Sequence, residues 1–119
     1  MSWFLGEAIE EFATLGASKT SAPYAAFAGQ GVLFQFVIAA NADAVGTIKV
    51  QGSNDKTNWD DIEMVLPDGT TSTTYAVLSG VNSSFSALLG WYNWFRVVYA
   101  RTSGGAAATL TILASRSVG

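Results

Sequence analysis

The sequence contains no cysteine and no histidine. Without cysteine the chain has no disulfide, no thiolate metal site and no cysteine nucleophile. Without histidine it lacks the commonest general base and the commonest transition-metal ligand, so Ser-His-Asp and Cys-His chemistries are excluded. We therefore predict that the protein is not an enzyme and that it uses no cofactor.

Charge is also scarce. Only 13% of the residues are charged, against about 25% in an ordinary soluble domain. The net charge is −3, and the basic residues form no stripe, so nucleic-acid binding is not expected. No apolar run reaches the length of a membrane span, and the start of the chain lacks a basic signal-peptide region, so no membrane partner is predicted. The six basic residues are Lys19, Lys49, Lys56, Arg96, Arg101 and Arg116.

Hydrophobic residues make up 50% of the chain, and it has four Trp, four Tyr and seven Phe. A single domain of 119 residues buries about two-thirds of its unfolded surface. With so few charges, its surface is either polar and uncharged or partly covered by a partner. Aromatic residues are enriched at interfaces, which favours coverage by a partner.

The first zone of the chain spans residues 1–30. Ser2 is a candidate helix cap and Gly16 a candidate stop, and between them Leu5, Ala8, Ile9, Phe12 and Leu15 recur at helical spacing. This predicts a short amphipathic helix followed by an extended arm of small residues.

Such a helix must dock either on its own domain or on a neighbouring subunit. In the second case the arm binds a partner, and residues 1–16 are dispensable for folding. The candidate partner-binding residues are Trp3, Phe4, Ile9, Phe12 and Leu15.

Residues 31–119 form the second zone, in which the pattern changes to about seven short strands separated by turn residues. This predicts an all-β domain, an antiparallel β-sandwich that is jelly-roll-like or Ig-like, and the last two strands are expected to pair as a hairpin. The predicted strands are Val32–Ala39, Thr47–Gln51, Trp59–Val65, Thr71–Leu78, Asn82–Leu89, Trp91–Arg101 and Ala107–Ala114.

An acidic group lies in and beside one of these predicted hairpins: Asp55, Asp60, Asp61 and Glu63. Carboxylates are suitable Ca²⁺ ligands, but the spacing matches no EF-hand loop. Asp60 and Asp61 are adjacent on a strand and therefore point to opposite faces. A solvated turn and strand edge is the favoured interpretation, and no metal site is predicted.

Strand alternation places Tyr92 and Trp94 opposite Trp91 and Phe95. One group belongs to the core, and the other faces solvent, the N-terminal segment or a partner. Tyr92 and Trp94 are therefore candidate interface residues or a stacking platform for sugar rings, and the interface is favoured because a large exposed aromatic patch promotes aggregation. Arg96, in the same apolar run, is expected to pair with a carboxylate such as Asp60 or Glu63.

Two stretches carry a family resemblance. One is residues 46–62, where "VQGSND" is followed by a short turn and "NW", and the other is "FRVVYARTSGGAAATLTIL", residues 95–113. They resemble two hairpins of small β-sandwich proteins encoded by tailed bacteriophages. Ser53, Asn54 and Asp55 suit the turn because their side chains bond nearby backbone, and Trp59 is the expected anchor of the next strand.

The resemblance implies a bacteriophage virion structural protein, most simply a capsid decoration or cement subunit attached through its N-terminal arm and apolar surface. Its expected partners are the major capsid protein and further copies of itself in a homo-oligomer. Its expected location is the virion, assembled in the host cytoplasm. Two alternatives stay open: a tail- or fibre-associated module that binds a host receptor or glycan, and a neck or tail assembly protein.

Overall fold

The computed structural model describes residues 2–3, 7–25, 32–66, 69–89 and 92–118, with side chains over 12–25, 34–66, 69–82 and 92–113. These residues form thirteen β-strands, and none of them lies in a helix, let alone one able to cross a membrane. The strands are β1 (Ser2–Trp3), β2 (Glu7–Phe12), β3 (Lys19–Thr20), β4 (Tyr24–Ala25), β5 (Val32–Ala39), β6 (Val45–Ser53), β7 (Asp60–Ile62), β8 (Met64–Val65), β9 (Thr71–Ser72), β10 (Tyr75–Val77), β11 (Ser83–Leu89), β12 (Trp94–Ser103) and β13 (Thr109–Val118).

The strands build two antiparallel sheets and a small ribbon. In the first sheet β13 and β5 are central, with β11 outside β5 and with β1 and β2 sharing the other edge of β13. In the second sheet β6 and β12 are central, with β7 and β10 sharing the outer edge of β6 and with β3 and β4 sharing that of β12. The ribbon pairs β8 with β9. The predicted all-β, antiparallel class is confirmed.

The strand order is that of a jelly roll. Strands that share the same edge are counted as one row: β1 with β2, β3 with β4, and β7 with β10. Each sheet then has four rows, and the chain crosses to the other sheet at nearly every connection between rows. Counted along the chain, the rows lie in the order 1-8-3-6 in one sheet and 2-7-4-5 in the other. This is the double Greek-key order of jelly rolls. Of the two predicted sandwich types, the jelly roll is the one that the structure has.

The core lies between the two sheets. On β5 the side chains of Phe34, Phe36 and Ile38 are buried while the residues between them are more exposed, as the period of two in a strand requires. The Phe34 ring meets that of Phe95 in the opposite sheet edge to face, with centroids 5.9 Å apart. The Tyr24 ring of β4 also meets Phe34, with centroids 6.0 Å apart. The sheets are therefore packed through interlocking aromatic rings.

The expected N-terminal helix is replaced by strands. Residues Glu7–Phe12 form β2 and pair with Leu110–Ala114 of β13, and Ser2–Trp3 pair with the end of the same strand. A helix of this length is marginal in water. An unpaired β13 edge would leave a row of unsatisfied backbone donors and acceptors. Pairing with β13 satisfies those groups, so tertiary context overrides the helical spacing of the sequence.

Phe12 and Leu15 are core residues. Their side chains are 1% and 0% exposed, and the Leu15 amide donates to the carbonyls of Gly105 and Ala108 at 3.1 and 3.0 Å. They are therefore not available to a partner. Trp3 and Ile9, which belong to the same predicted partner-binding set, lie on β1 and β2, and Phe4 falls outside the described residues.

The strands that precede residue 30 belong to both sheets. β2 extends the first sheet, and β3 and β4 pair with β12 in the second. Within the described residues, the strands of the predicted arm, residues 1–30, are therefore hydrogen-bonded to strands of the predicted sandwich, residues 31–119.

The last two strands do not form the expected hairpin. β12 pairs with β6 in the second sheet, whereas β13 pairs with β5 in the first. The connection passes through Gly104 and Gly105, which have φ of 62° and 95°. A Cβ on Gly104 would lie 2.1 Å from the Asp43 carbonyl oxygen, so only glycine fits where the chain crosses from one sheet to the other.

We expect Phe12→Ala and Leu15→Ala each to lower the free energy of unfolding by about 2–5 kcal/mol, because each removes a fully buried side chain and leaves a cavity. Urea denaturation followed by tryptophan fluorescence measures this loss. Ala17→Ser, at an exposed position in the next turn, is the control and should unfold as the wild type does. Wild-type midpoints for both core variants would contradict this placement of the N-terminal segment.

Candidate interaction surfaces

The outer face of the second sheet carries a row of polar side chains across three strands. Gln51 of β6 lies directly opposite Arg96 of β12 on one side and Asp61 of β7 on the other. Because alternate residues of β6 and β12 are buried in the core, these three side chains project away from it.

The row is joined by hydrogen bonds. Arg96 Nε donates to Gln51 Oε1 at 2.8 Å, and Gln51 Nε2 donates to Asp61 Oδ1 at 2.8 Å. Lys49 Nζ lies 3.3 Å from the same carboxylate oxygen. The hydrogen bond from Gln51, together with Lys49, holds the pKa of Asp61 below its ordinary value. Arg96 is thus engaged by an amide, where the sequence suggested Asp60 or Glu63.

Two tryptophans on this face are each covered by a cation. Arg96 Cζ lies 4.2 Å from the centre of the Trp59 ring, and Lys56 Nζ lies 4.3 Å from that of Trp94. Such contacts are attractive because the cation meets the negative face of the ring. We call this surface the cation–aromatic face, and its residues are Lys49, Gln51, Lys56, Trp59, Asp61, Trp94 and Arg96.

The turn between β6 and β7 positions Lys56 and Trp59. Ser53 Oγ accepts the amide of Lys56 at 2.9 Å, and Asp55 Oδ1 accepts the amides of Thr57 and Asn58 at 2.9 and 2.8 Å. The Ser53 hydroxyl also donates to Asp55 Oδ1 at 2.8 Å. Bonds to the charged carboxylate, chiefly from Asn58 and Thr57, hold the pKa of Asp55 far below its ordinary value.

Asn54 ties this turn to the neighbouring loop, because its Oδ1 accepts the Asn93 amide at 2.9 Å. The turn residues predicted from the sequence, Ser53, Asn54 and Asp55, thus all bond the backbone. Trp59, the predicted anchor for the sheet face, lies on the outer face of the sheet, with Arg96 over its ring.

Tyr92 and Trp94 lie on different surfaces. The Tyr92 ring meets Phe95 edge to face, with centroids 6.2 Å apart, and lies so close to Gly52 that a Cβ there would be 2.4 Å from it. Its hydroxyl donates to Asp60 Oδ2 at 3.3 Å. Partial burial, together with the Asp60 carboxylate, raises the pKa of Tyr92. Because β12 begins at Trp94, the alternation assumed from the sequence does not extend back to Tyr92.

Three of the four clustered carboxylates are therefore engaged separately. Asp55 organises the turn, Asp60 accepts from Tyr92, and Asp61 accepts from Gln51 and Lys49. No group of three or more potential metal ligands occurs within the part of the chain that the structure describes.

The opposite end of the sandwich is formed by residues 13–18, 40–44, 78–82 and 101–108, which we call the loop end. Asn41 holds two of these segments together and is only 6% exposed. Its Nδ2 donates to the carbonyls of Leu78 and Val81 at 2.9 and 3.1 Å, and its Oδ1 accepts the Ala44 amide at 2.7 Å. Asparagine is a common turn residue, but the sequence cannot show the role of Asn41 because its partners lie 37 and 40 residues away.

No family model matches the sequence, and no curated protein matches it. The fold is similar to the crystal structure of the SPBc2 prophage-derived protein YomS, with a TM-score of 0.56 and 96% of each chain covered. The two sequences are 8% identical, so the similarity is one of fold. The chain thus shares its β-sandwich architecture, over nearly its whole length, with a protein derived from a prophage.

We expect Asp55→Asn to lower the melting temperature at pH 7, because the carboxylate that accepts the turn amides is lost. Since the pKa of Asp55 is lowered by folding, its contribution is present above the unfolded pKa of about 4 and is lost as the pH falls through the folded value. The difference in melting temperature between wild type and variant, followed by circular dichroism, should therefore shrink as the pH falls below about 4. A difference that stays constant down to pH 2 would contradict this role.

Proposed function

We propose that the protein is a non-enzymatic structural component of a bacteriophage virion, and specifically a capsid decoration or cement subunit. The observation that supports this most is the similarity of its fold to a prophage-derived protein over 96% of both chains. Jelly rolls are a common architecture of viral capsid domains, which is consistent with the proposal. Its partners are the major capsid protein and other copies of the chain.

The sequence resemblance to phage proteins adds separate support. Residues 46–62 include all of β6 but its first residue and the whole of β7, and residues 95–113 include most of β12 and the first half of β13. β6 and β12 are paired along their length, from Trp94 opposite Ser53 to Ser103 opposite Val45. The β6 and β12 parts of the two resembling stretches therefore meet at the centre of the second sheet, whereas the β13 part lies in the first sheet.

A structural role also agrees with the polar groups on the surface. Arg96, Gln51, Asp61 and Lys49 bond one another, and Asp55 bonds its own turn. Side chains that satisfy one another in this way stabilise a rigid surface. Such a surface suits a protein that packs into an assembly.

The test is the copy number of this chain in purified phage particles, measured by quantitative mass spectrometry against the major capsid protein. A decoration or cement subunit is expected in hundreds of copies, because it repeats with the capsid lattice. A few to a few dozen copies would replace this role by a tail, neck or fibre role. Absence from the particles would overturn the virion proposal as a whole.

The second candidate is a glycan-binding tail module, since jelly rolls also form lectin domains. The observation in its favour is that Trp59 and Trp94 both lie on the outer face of one sheet. Against it, each ring already has a cation of the same chain over it, at 4.2 and 4.3 Å. That contact occupies a ring face on which a sugar would stack.

We accordingly expect the purified protein to give no signal on a glycan array. Binding that is lost in Trp94→Ala and kept in Tyr92→Phe would instead favour the glycan-binding module. The second variant is the matched control, because it keeps the ring against Phe95 and removes only the hydroxyl bonded to Asp60.

A further inference from the structure

Two cations of the cation–aromatic face have no acidic partner within the part of the chain that the structure describes. The one ion pair among the described side chains involves neither Arg96 nor Lys56. They lie instead over the rings of Trp59 and Trp94, at 4.2 and 4.3 Å. A ring attracts a cation but does not neutralise it. Both positive charges therefore remain available to an anion from outside the chain.

The Arg96 guanidinium also has unused hydrogen-bond donors. Among the described residues it is hydrogen-bonded through Nε alone, which donates to Gln51 Oε1 at 2.8 Å. A guanidinium has further N–H donors on its two terminal nitrogens. These donors match the two oxygens of a carboxylate, which they bind as a fork. The chemistry that Arg96 leaves unmet is therefore that of a carboxylate ligand.

The turn between β6 and β7 holds the Lys56 backbone in a strained conformation. Its φ is 62°, in the left-handed region that glycine and asparagine adopt more readily. Ser53 Oγ accepts the Lys56 amide at 2.9 Å and fixes this conformation. Residues other than glycine that are held in this region concentrate at ligand and functional sites. The turn therefore presents an ammonium group from a fixed backbone.

The supports of the two cations have the spacing of an extended strand. Trp94, over whose ring Lys56 lies, and Arg96 are two residues apart on β12 and share its outer face. Their Cα atoms are thus about 7 Å apart. Alternate residues of an extended peptide have the same separation. A segment with carboxylates on alternate residues can therefore offer one carboxylate to each cation.

Neighbouring carboxylates limit the kind of anion that fits. Asp55 precedes Lys56 in the turn, and each of Asp60 and Asp61 lies within two residues of Trp59. All three carboxylates are already hydrogen-bonded within the chain. They would repel a ligand with a continuous row of negative charges, such as a nucleic acid. A peptide whose two carboxylates are separated by uncharged residues has far less negative charge to place near them.

We propose that Arg96 and Lys56 form a binding site for an extended acidic segment of a partner protein, in which carboxylates on alternate residues pair with the two cations. Trp59 and Trp94 hold the cations in place. The inference deepens the proposed function, on which it rests for its place in a particle, by naming the chemistry of a partner. A single contact is weak, because exposed ion pairs contribute little, and repetition over many copies strengthens attachment.

The experiment is an NMR titration of the nitrogen-15-labelled full-length chain with the peptide acetyl-Thr-Glu-Thr-Glu-Thr-amide, at about 20 mM ionic strength, where screening is weak. The peptide is expected to bind in the millimolar range and to shift the indole N–H signals of Trp59 and Trp94. Arg96→Gln and Lys56→Gln should each weaken binding by about twofold to fivefold, the factor that one exposed ion pair contributes. Lys56→Arg keeps the charge and should bind as the wild type does.

Lys19→Gln is the matched control variant. Lys19 is an exposed cation that also lies over a ring, at 5.7 Å from the centre of Phe12. It is paired with the core residue Tyr99 and is therefore on the opposite face of the sheet from Arg96. This variant loses the same charge and should bind the peptide as the wild type does. All variants should keep wild-type circular dichroism.

Two further peptides test the charge and the spacing of the ligand. Acetyl-Thr-Gln-Thr-Gln-Thr-amide has no carboxylate and should not bind. Acetyl-Thr-Glu-Glu-Thr-Thr-amide has the same charge, but its carboxylates point to opposite sides of an extended chain. It should therefore bind more weakly than the peptide with alternate carboxylates.

Three results would overturn the proposal. The first is the absence of any shift of the Trp59 and Trp94 signals at peptide concentrations well into the millimolar range. The second is equal weakening by Lys19→Gln and Arg96→Gln, which would reduce the effect to net charge. The third is tighter binding of a single-stranded oligothymidylate than of the peptide at the same residues. None of these depends on the copy number in particles, so the failure of this inference is separate from the failure of the proposed function.

Discussion

The edge-to-face contact between Phe34 and Phe95, with ring centroids 5.9 Å apart, joins two sheets that share no strand among the described residues. Each sheet has one apolar face, and neither face is shielded from water unless the other sheet covers it. Because the chain crosses between the sheets, both sheets are built up together and their apolar faces cover each other. The N-terminal segment also contributes to this core, because β2 pairs with β13 and places Phe12 between the sheets.

The same packing leaves two surfaces with different chemistry. On the outer face of the second sheet, polar and aromatic side chains bond one another, from Lys49 and Asp61 through Gln51 to Arg96 and Trp59. At the loop end, the hydrogen bonds are turned inward through Asn41 and Asp43, and small apolar side chains are left outside.

The low charge of the chain has a consistent explanation in these two surfaces. Three of its six basic residues, Lys49, Lys56 and Arg96, lie on the cation–aromatic face. The loop end has only Asp43 and Arg101. A free monomer gains solubility from dispersed surface charge. A subunit whose surface is covered by its neighbours in an assembly needs fewer surface charges. This distribution is what the proposed structural role would require.

The all-β class, the turn at Ser53–Asp55 and most strands from residue 32 onward could be predicted from the sequence. Those features depend on alternation and on local side-chain bonds to backbone, which are written within a few neighbouring residues. Two predicted strands, Trp59–Val65 and Thr71–Leu78, are each divided into two strands in the structure. The sequence did not determine the conformation of residues 7–12, whose apolar residues recur at helical spacing but which pair as a strand with the open edge of β13.

The jelly-roll order, the separation of Tyr92 from Trp94 and the role of Asn41 could not be predicted, because they follow from long-range packing. Each of these features depends on which segments that are distant in sequence pack against each other. Asn41 is hydrogen-bonded to residues 37 and 40 positions away. β12 and β13 are adjacent in sequence but lie in opposite sheets, because Gly104 and Gly105 turn the chain from one sheet to the other.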